Sequence, residues 1–140
     1  MDQRLSERDD WQDISQVLLR FTSGIDRRDW ALFRTAFTDD CQVDLADYGS
    51  FNGVDAITEF ETASHAEAGH TLHRMTNHVI SVDGDQATAR TYVDAWIMSV
   101  DGASGINALG IYDDELVRTD DGWRIARRKF TSVRLSVCNT

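Results

Sequence analysis

Residues 71–100 read TLHRMTNHVISVDGDQATARTYVDAWIMSV, and this stretch decides the fold. Two runs of alternating apolar and polar residues, 71–82 and 86–100, flank an Asp83-Gly84 pair. Asp-Gly supplies the positive φ angles of a tight two-residue turn, so the runs are expected to fold back on each other as an antiparallel hairpin. VDGASG at 100–105 and TDDG at 119–122 repeat the punctuation and bound two further runs, 105–118 and 122–137. The second half of the chain therefore reads as a four-stranded antiparallel meander.

Upstream of residue 71 the period changes. Trp11, Ile14, Leu18, Phe21 and Ile25 recur at spacings of three and four, and Ser6 with Asp9 forms a capping-box pattern. These signals predict a helix over 7–27, with 1–6 as a flexible N-terminus. DWALFRTAF at 29–37 fits a short second helix whose Trp30, Phe33 and Phe37 share a face before TDDC breaks the pattern. CQVDL (41–45) reads as a short strand, ADYGSFNG as a loop, and 54–69 as a helix anchored by Ile57 and Phe60. Helices first and a meander second make one α+β domain over 1–140, in which a strongly bent sheet wrapped over helices would enclose a pocket.

Composition narrows the class of function. At 140 residues with 41% hydrophobic and 9% aromatic content and no proline, the chain can bury a core and is not a disordered linker. Its net charge of −10 disfavours nucleic acid and anionic membranes as partners. That charge is uneven: residues 118–134 carry six cations against two acids, +4, so the remainder carries −14. Cys41 and Cys138 lack any C-x-x-C partner and read as reduced thiols. The N-terminus has no apolar h-region and no run of 18 apolar residues occurs, so a soluble, cytoplasmic protein is expected. His70 and His73 lie three apart on an extended segment and point to opposite faces, and no H-E-x-x-H set occurs, so no metal is expected.

Four residues could carry chemistry. Asp26 borders the apolar stripe and is half turned toward the core; the alternative is a solvated carboxylate paired with Arg27 or Arg28. His73 shares a strand face with Met75 and Val79, as either a working imidazole or a satisfied structural one; His65 and His70 are expected in solvent. Asp94 stands in a row with Tyr92, Trp96 and Met98, which is either a pocket wall where the carboxylate is desolvated or an outer face packed against another subunit. In GWRIARRKF, Trp123 and Ile125 alternate as core residues before the phase shifts, through a bulge, and at least one of Arg127, Arg128 and Lys129 must face inward or pair.

GIDRRDW closing the first helix, FTDDCQVDL, YGSFNGVDAITEF, the histidine in TLHRMTNHV and the late DGWRIARR together resemble the nuclear transport factor two-like superfamily, in its SnoaL-like, scytalone-dehydratase-like branch. The resemblance covers about 7–137. It implies a cone-shaped α+β barrel, a curved, mainly antiparallel mixed sheet closed by helices over one pocket. Members include dehydratases, dehydrochlorinases, isomerases, cyclases and non-catalytic binders, so the landmarks specify fold better than reaction. Asp26 resembles the catalytic aspartate of the dehydratases and of hexachlorocyclohexane dehydrochlorinase, His73 their catalytic histidine, and Arg128 the pocket arginine of dehydrochlorinase and bile acid dehydratase. Ile25 and Leu45 stand where scytalone dehydratase has tyrosines, and Phe21 where dehydrochlorinase has a lysine.

The expectation is thus a cofactor-independent lyase-type enzyme, a dehydratase or related elimination catalyst, acting on a small hydrophobic, cyclic substrate. His73 is the base, Asp26 orients it, and Arg128 stabilises developing negative charge, in a pocket lined by Phe21, Phe33, Tyr48, Met75, Asp94, Trp96 and Leu109. An isomerase or polyketide cyclase using an Asp base, or a non-catalytic binding or assembly module, is the alternative. The resemblance also implies a homodimer or homotrimer.

Overall fold

The computed structural model describes residues 3–139. Helix α1 (Gln3–Asp26) is followed by α2 (Trp30–Arg34), strand β1 (Phe37–Asp44), a 3₁₀ turn (Ala46–Tyr48), β2 (Ser50–Asn52) and α3 (Val54–His65). Four long strands follow: β3 (Thr71–Asp83), β4 (Gln86–Met98), β5 (Ser104–Thr119) and β6 (Gly122–Asn139). The sheet order is β2-β1-β6-β5-β4-β3, with β1 parallel to β6 and every other neighbour antiparallel. This is α+β with a mixed, mainly antiparallel sheet that stays open at β2 and β3.

The meander follows the turn signals closely. The earlier elements depart from expectation in instructive places. Residues 3–6 extend α1 rather than capping it, so Ser6 lies inside the helix; residues 1 and 2 of the expected flexible segment lie outside the described residues. The buried stripe is Ile14, Val17, Leu18, Phe21 and Ile25, while Trp11 is 46% exposed. Next to it Asp10 is buried, because Arg118 and the Trp123 indole N–H both donate to its carboxylate. Asp29 caps α2 by accepting from the Leu32 N–H. Strand β1 begins at Phe37, earlier than expected: Asp39 and Asp40 put their side chains in solvent while Cys41 and Val43 point into the core. Ser50–Asn52, expected as loop, pairs with β1 as a short edge strand.

Two bulges set which side chains face inward. At Asn77, whose φ is 59°, β3 gains one extra residue between the Thr76–Tyr92 and Val79–Arg90 pairs. Ile80 and Val82 then pack against the core, and Val79 swings out to 65% exposure. In β6 the pairing steps from Ile125 to Arg127, which leaves Ala126 as the extra residue and turns Arg128 into the core. The concave face of the sheet receives α1, which also packs on α2. At the α1–α2 contact a Cβ on Gly24 would lie 2.6 Å from the Phe33 backbone.

Gly24→Ala should therefore destabilise the protein. Alanine gains about 1 kcal/mol of helix propensity, but overpacking against backbone costs about 1–3 kcal/mol and must also displace α2. Chemical denaturation that shows the variant more stable than wild type would contradict this packing.

Candidate active site

The C-terminus of α1 meets the start of β3 through one carboxylate. Asp26, the last residue of α1, accepts the His73 Nδ1–H at 2.7 Å and the Thr71 hydroxyl at 2.9 Å on Oδ1, and the His73 backbone N–H at 2.9 Å on Oδ2. Arg28, at a left-handed φ of 54°, donates to the Ile25 carbonyl, the Thr71 hydroxyl and the Gly69 carbonyl. Arg28 thus holds Thr71 in place, and Asp26 pairs with His73 rather than with either neighbouring arginine. Gly69 suits this junction because a Cβ there would meet the Ser99 carbonyl oxygen.

Burial opposes charge on Asp26, but the bonds from the His73 ring and backbone, together with the Thr71 hydroxyl, outweigh it and hold the carboxyl below its ordinary range. With Nδ1 facing a carboxylate, Nδ1 carries the proton and Nε2 is the basic nitrogen of His73.

His73 lines a cavity of about 240 Å³ between the sheet and α3. Its apolar walls are Val93, Ala95, Ile97, Ile106 and Ala108 from the sheet with Leu45 and Phe60 opposite. Its polar groups are Tyr48, Glu61, Ser64, His65, His73 and Tyr112. A larger groove of about 630 Å³ runs over the outer face of the sheet, but its charged groups are those of an open surface, among them Arg90, Asp113, Glu115 and Arg127.

Several expected pocket residues lie elsewhere. Asp94, Trp96 and Leu109 sit on the outer face: Asp94 pairs in register with Leu109, takes hydrogen bonds from Arg74 and Asn107, and leaves the inward row to Ala87, Ala89, Thr91, Val93 and Ala95. The row with the smaller side chains faces inward: Val93, Ala95 and Ile97 line the cavity, and Ala87 and Ala89 join the core cluster that α1 also enters. Phe21, Phe33 and Met75 face inward but belong to the packing around the cavity rather than its lining. Tyr48 does line it.

Arg128 is also displaced from its expected place. It is only 2% exposed, makes a bidentate pair with Asp114 at 2.7 and 2.9 Å, and lies between the Phe21 and Tyr112 rings, 4.1 and 3.9 Å from their centroids. It does not line the cavity, so its charge acts through the intervening side chains and not by contact. One guanidinium nitrogen, Nη1, has no hydrogen-bond partner.

Two cavity groups escaped the sequence reading. His65, expected in solvent, is buried, and its ring centroid is 5.9 Å from that of His73. Glu61 stands one turn earlier, its side chain 12% exposed and an oxygen 3.4 Å from His65 Nδ1. The signal was present: Ile57, Glu61 and His65 follow at i, i+4 spacing on the face that Ile57 anchors in the core. His65 Nδ1 is 2.9 Å from the Glu61 carbonyl oxygen, which can only accept, so Nδ1 carries the proton and the unpartnered Nε2 is bare. Burial depresses the His65 pKa and pushes the Glu61 carboxyl up to about 7, against the pull of His73 and Arg128.

Comparison with known proteins places these observations in a family. Residues 6–129 match the SnoaL-like domain. An uncharacterized protein of Mycobacterium tuberculosis is 30% identical over 126 residues, 89% of this chain and 86% of that one. Among solved structures, a Novosphingobium aromaticivorans protein provisionally named a scytalone dehydratase superposes with a TM-score of 0.86 at 21% identity, covering 99% of this chain and 92% of its own. Hexachlorocyclohexane dehydrochlorinase type 3 from Novosphingobium barchaimii superposes with a TM-score of 0.78 at 19% identity, covering 96% and 92%. Among the described residues no helix is long and apolar enough to cross a membrane.

Glu61 gives stability a distinctive pH dependence. Its folded pKa is raised from the ordinary 4.5 to about 7, so its contribution is complete below about pH 4.5 and is lost as pH rises through about 7. Glu61→Gln should flatten that segment of the stability curve, matching wild type at the acid end and exceeding it above pH 7 by about 1–4 kcal/mol. Urea unfolding across this pH range checks it; parallel curves would contradict the burial of this carboxyl.

Proposed function

Because the chain belongs to the SnoaL-like domain family, we propose that it is a cofactor-independent lyase-type enzyme, a dehydratase or related elimination catalyst. The observation that carries this is the 2.7 Å contact between Asp26 and a His73 ring that lines an open cavity. Asp26 fixes the tautomer and stabilises the imidazolium, and His73 Nε2 takes a proton from a carbon made acidic by a neighbouring carbonyl. The electron pair left behind forms the new double bond as the leaving group departs from the adjacent carbon. Arg128, fixed by Asp114 beneath the aromatic floor, biases the cavity toward negative charge without touching the substrate.

The apolar walls and a volume of about 240 Å³ favour a small hydrophobic molecule of one or two rings. A histidine base is favoured over the aspartate base of the isomerase and cyclase reading, because Asp94 lies outside the cavity and Asp26 is committed to His73. The exposed Leu72 and Tyr92 on the outer sheet face support assembly as a homodimer or homotrimer.

A screen of small cyclic β-hydroxy carbonyl compounds, followed by loss of water, tests the reading. His73→Ala is expected to lower kcat by about 10²–10⁴-fold while still folding cooperatively, with unfolding at a lower temperature because one bond to the Asp26 carboxylate is lost, and Asp26→Asn to lower kcat more than it raises KM. Full turnover by His73→Ala on a substrate the wild type converts would sink the assignment.

A further inference from the structure

We propose that Glu61 is the proton donor of the cavity, working opposite His73 to protonate the substrate oxygen on which negative charge develops. This rests on the reading of His73 as a base. The geometry behind it is the placement of a carboxyl on α3 in the same cavity lining as His73 of β3, where Glu61 is the one carboxyl among the lining residues. Neither Asp26 nor Arg128 can fill that role, since the first is bound to His73 and the second lies beneath the lining.

The groups facing Glu61 are His65 and Ser64 on its own helix, His73 on β3, Tyr112 on β5 and Arg128 on β6. The two cations among these neighbours, His73 when protonated and Arg128, favour the carboxylate, but burial is the larger effect and leaves a substantial fraction of the acid protonated near pH 7. A neutral carboxylic acid in such a setting can donate where a carboxylate cannot.

The step balances without any further reactant. His73 Nε2 takes the proton from carbon, that electron pair forms the C=C bond, and the C–O bond breaks with its electrons going to oxygen. That oxygen takes the Glu61 proton and leaves as water. The imidazolium proton then returns to the Glu61 carboxylate, restoring both groups. Glu61 and His73 line the same cavity of about 240 Å³, which keeps the two ends of this relay within one small substrate's span.

Two measurements test the proposal. In protein made with carboxyl-labelled glutamate, the resonance that disappears in Glu61→Gln should titrate near pH 7. A midpoint in the ordinary glutamate range, about 4.3, overturns the proposal. The second uses base-catalysed ring opening of benzisoxazole and its nitro-substituted derivative, in which loss of a C–H proton breaks the N–O bond and releases a phenolic oxygen. Glu61→Gln should slow the unsubstituted compound, whose leaving oxygen is the more basic, by about 10²-fold, and the nitro compound much less. Equal slowing of both, or of neither, overturns the proposal while leaving His73 as the base. If His73→Ala opens both rings at the wild-type rate, the general-base reading falls and the donor role falls with it.

Discussion

The carboxylate of Asp26 joins the helical layer to the sheet. Its three hydrogen bonds all run to Thr71 and His73 at the start of β3, and Arg28 braces the same junction from the other side of the chain turn. A helix C-terminus is a poor place for an anion on dipole grounds alone, so these bonds must outweigh both that effect and burial. The same bonds that dock α1 also orient the His73 ring. Helix docking and ring orientation therefore depend on one carboxylate.

A second constraint lies deeper. The Arg128–Asp114 pair is enclosed by Phe21, Phe37 and Tyr112, and removing either partner would strand a buried charge at a cost of about 3–5 kcal/mol. Arg128 reaches this position because Ala126 is an extra residue in β6. The basic hairpin thus places one cation in the core of an otherwise acidic protein, and the cavity above it holds groups whose charged forms burial disfavours, Glu61 and His65.

Much of this was legible in the chain. The Asp-Gly turns and alternating runs marked all four long strands, the three-and-four spacing marked the buried face of α1, and residue-by-residue resemblance pointed to Asp26 and His73. The phase of β4 was not legible. Tyr92, Asp94, Trp96 and Met98 look like an inward row because they are the larger set, yet the small Ala87, Ala89, Val93 and Ala95 face inward. Size on a strand does not fix which face is covered: here Ala87 and Ala89 share the core cluster with Ile14, Leu18, Phe21 and Ile25 of α1, while Val93 and Ala95 front the cavity. Glu61 and His65 were missed for a related reason: a charged residue on a helix is expected in solvent unless the neighbour covering it is known.

What the sequence determined by itself is local: period, turns, the helical stripe and the acidic balance, each set by backbone preference and by residues close in the chain. Tertiary structure alone decided which strand faces enclose the cavity, that Arg128 lies beneath it and not in its wall, and that Glu61 joins the site. Those outcomes depend on bulges at Asn77 and Ala126 and on contacts between residues far apart in sequence, such as Asp26 with His73. A one-residue insertion in a strand reverses every side chain beyond it, so the facing of a residue is a property of the assembled sheet rather than of its own segment.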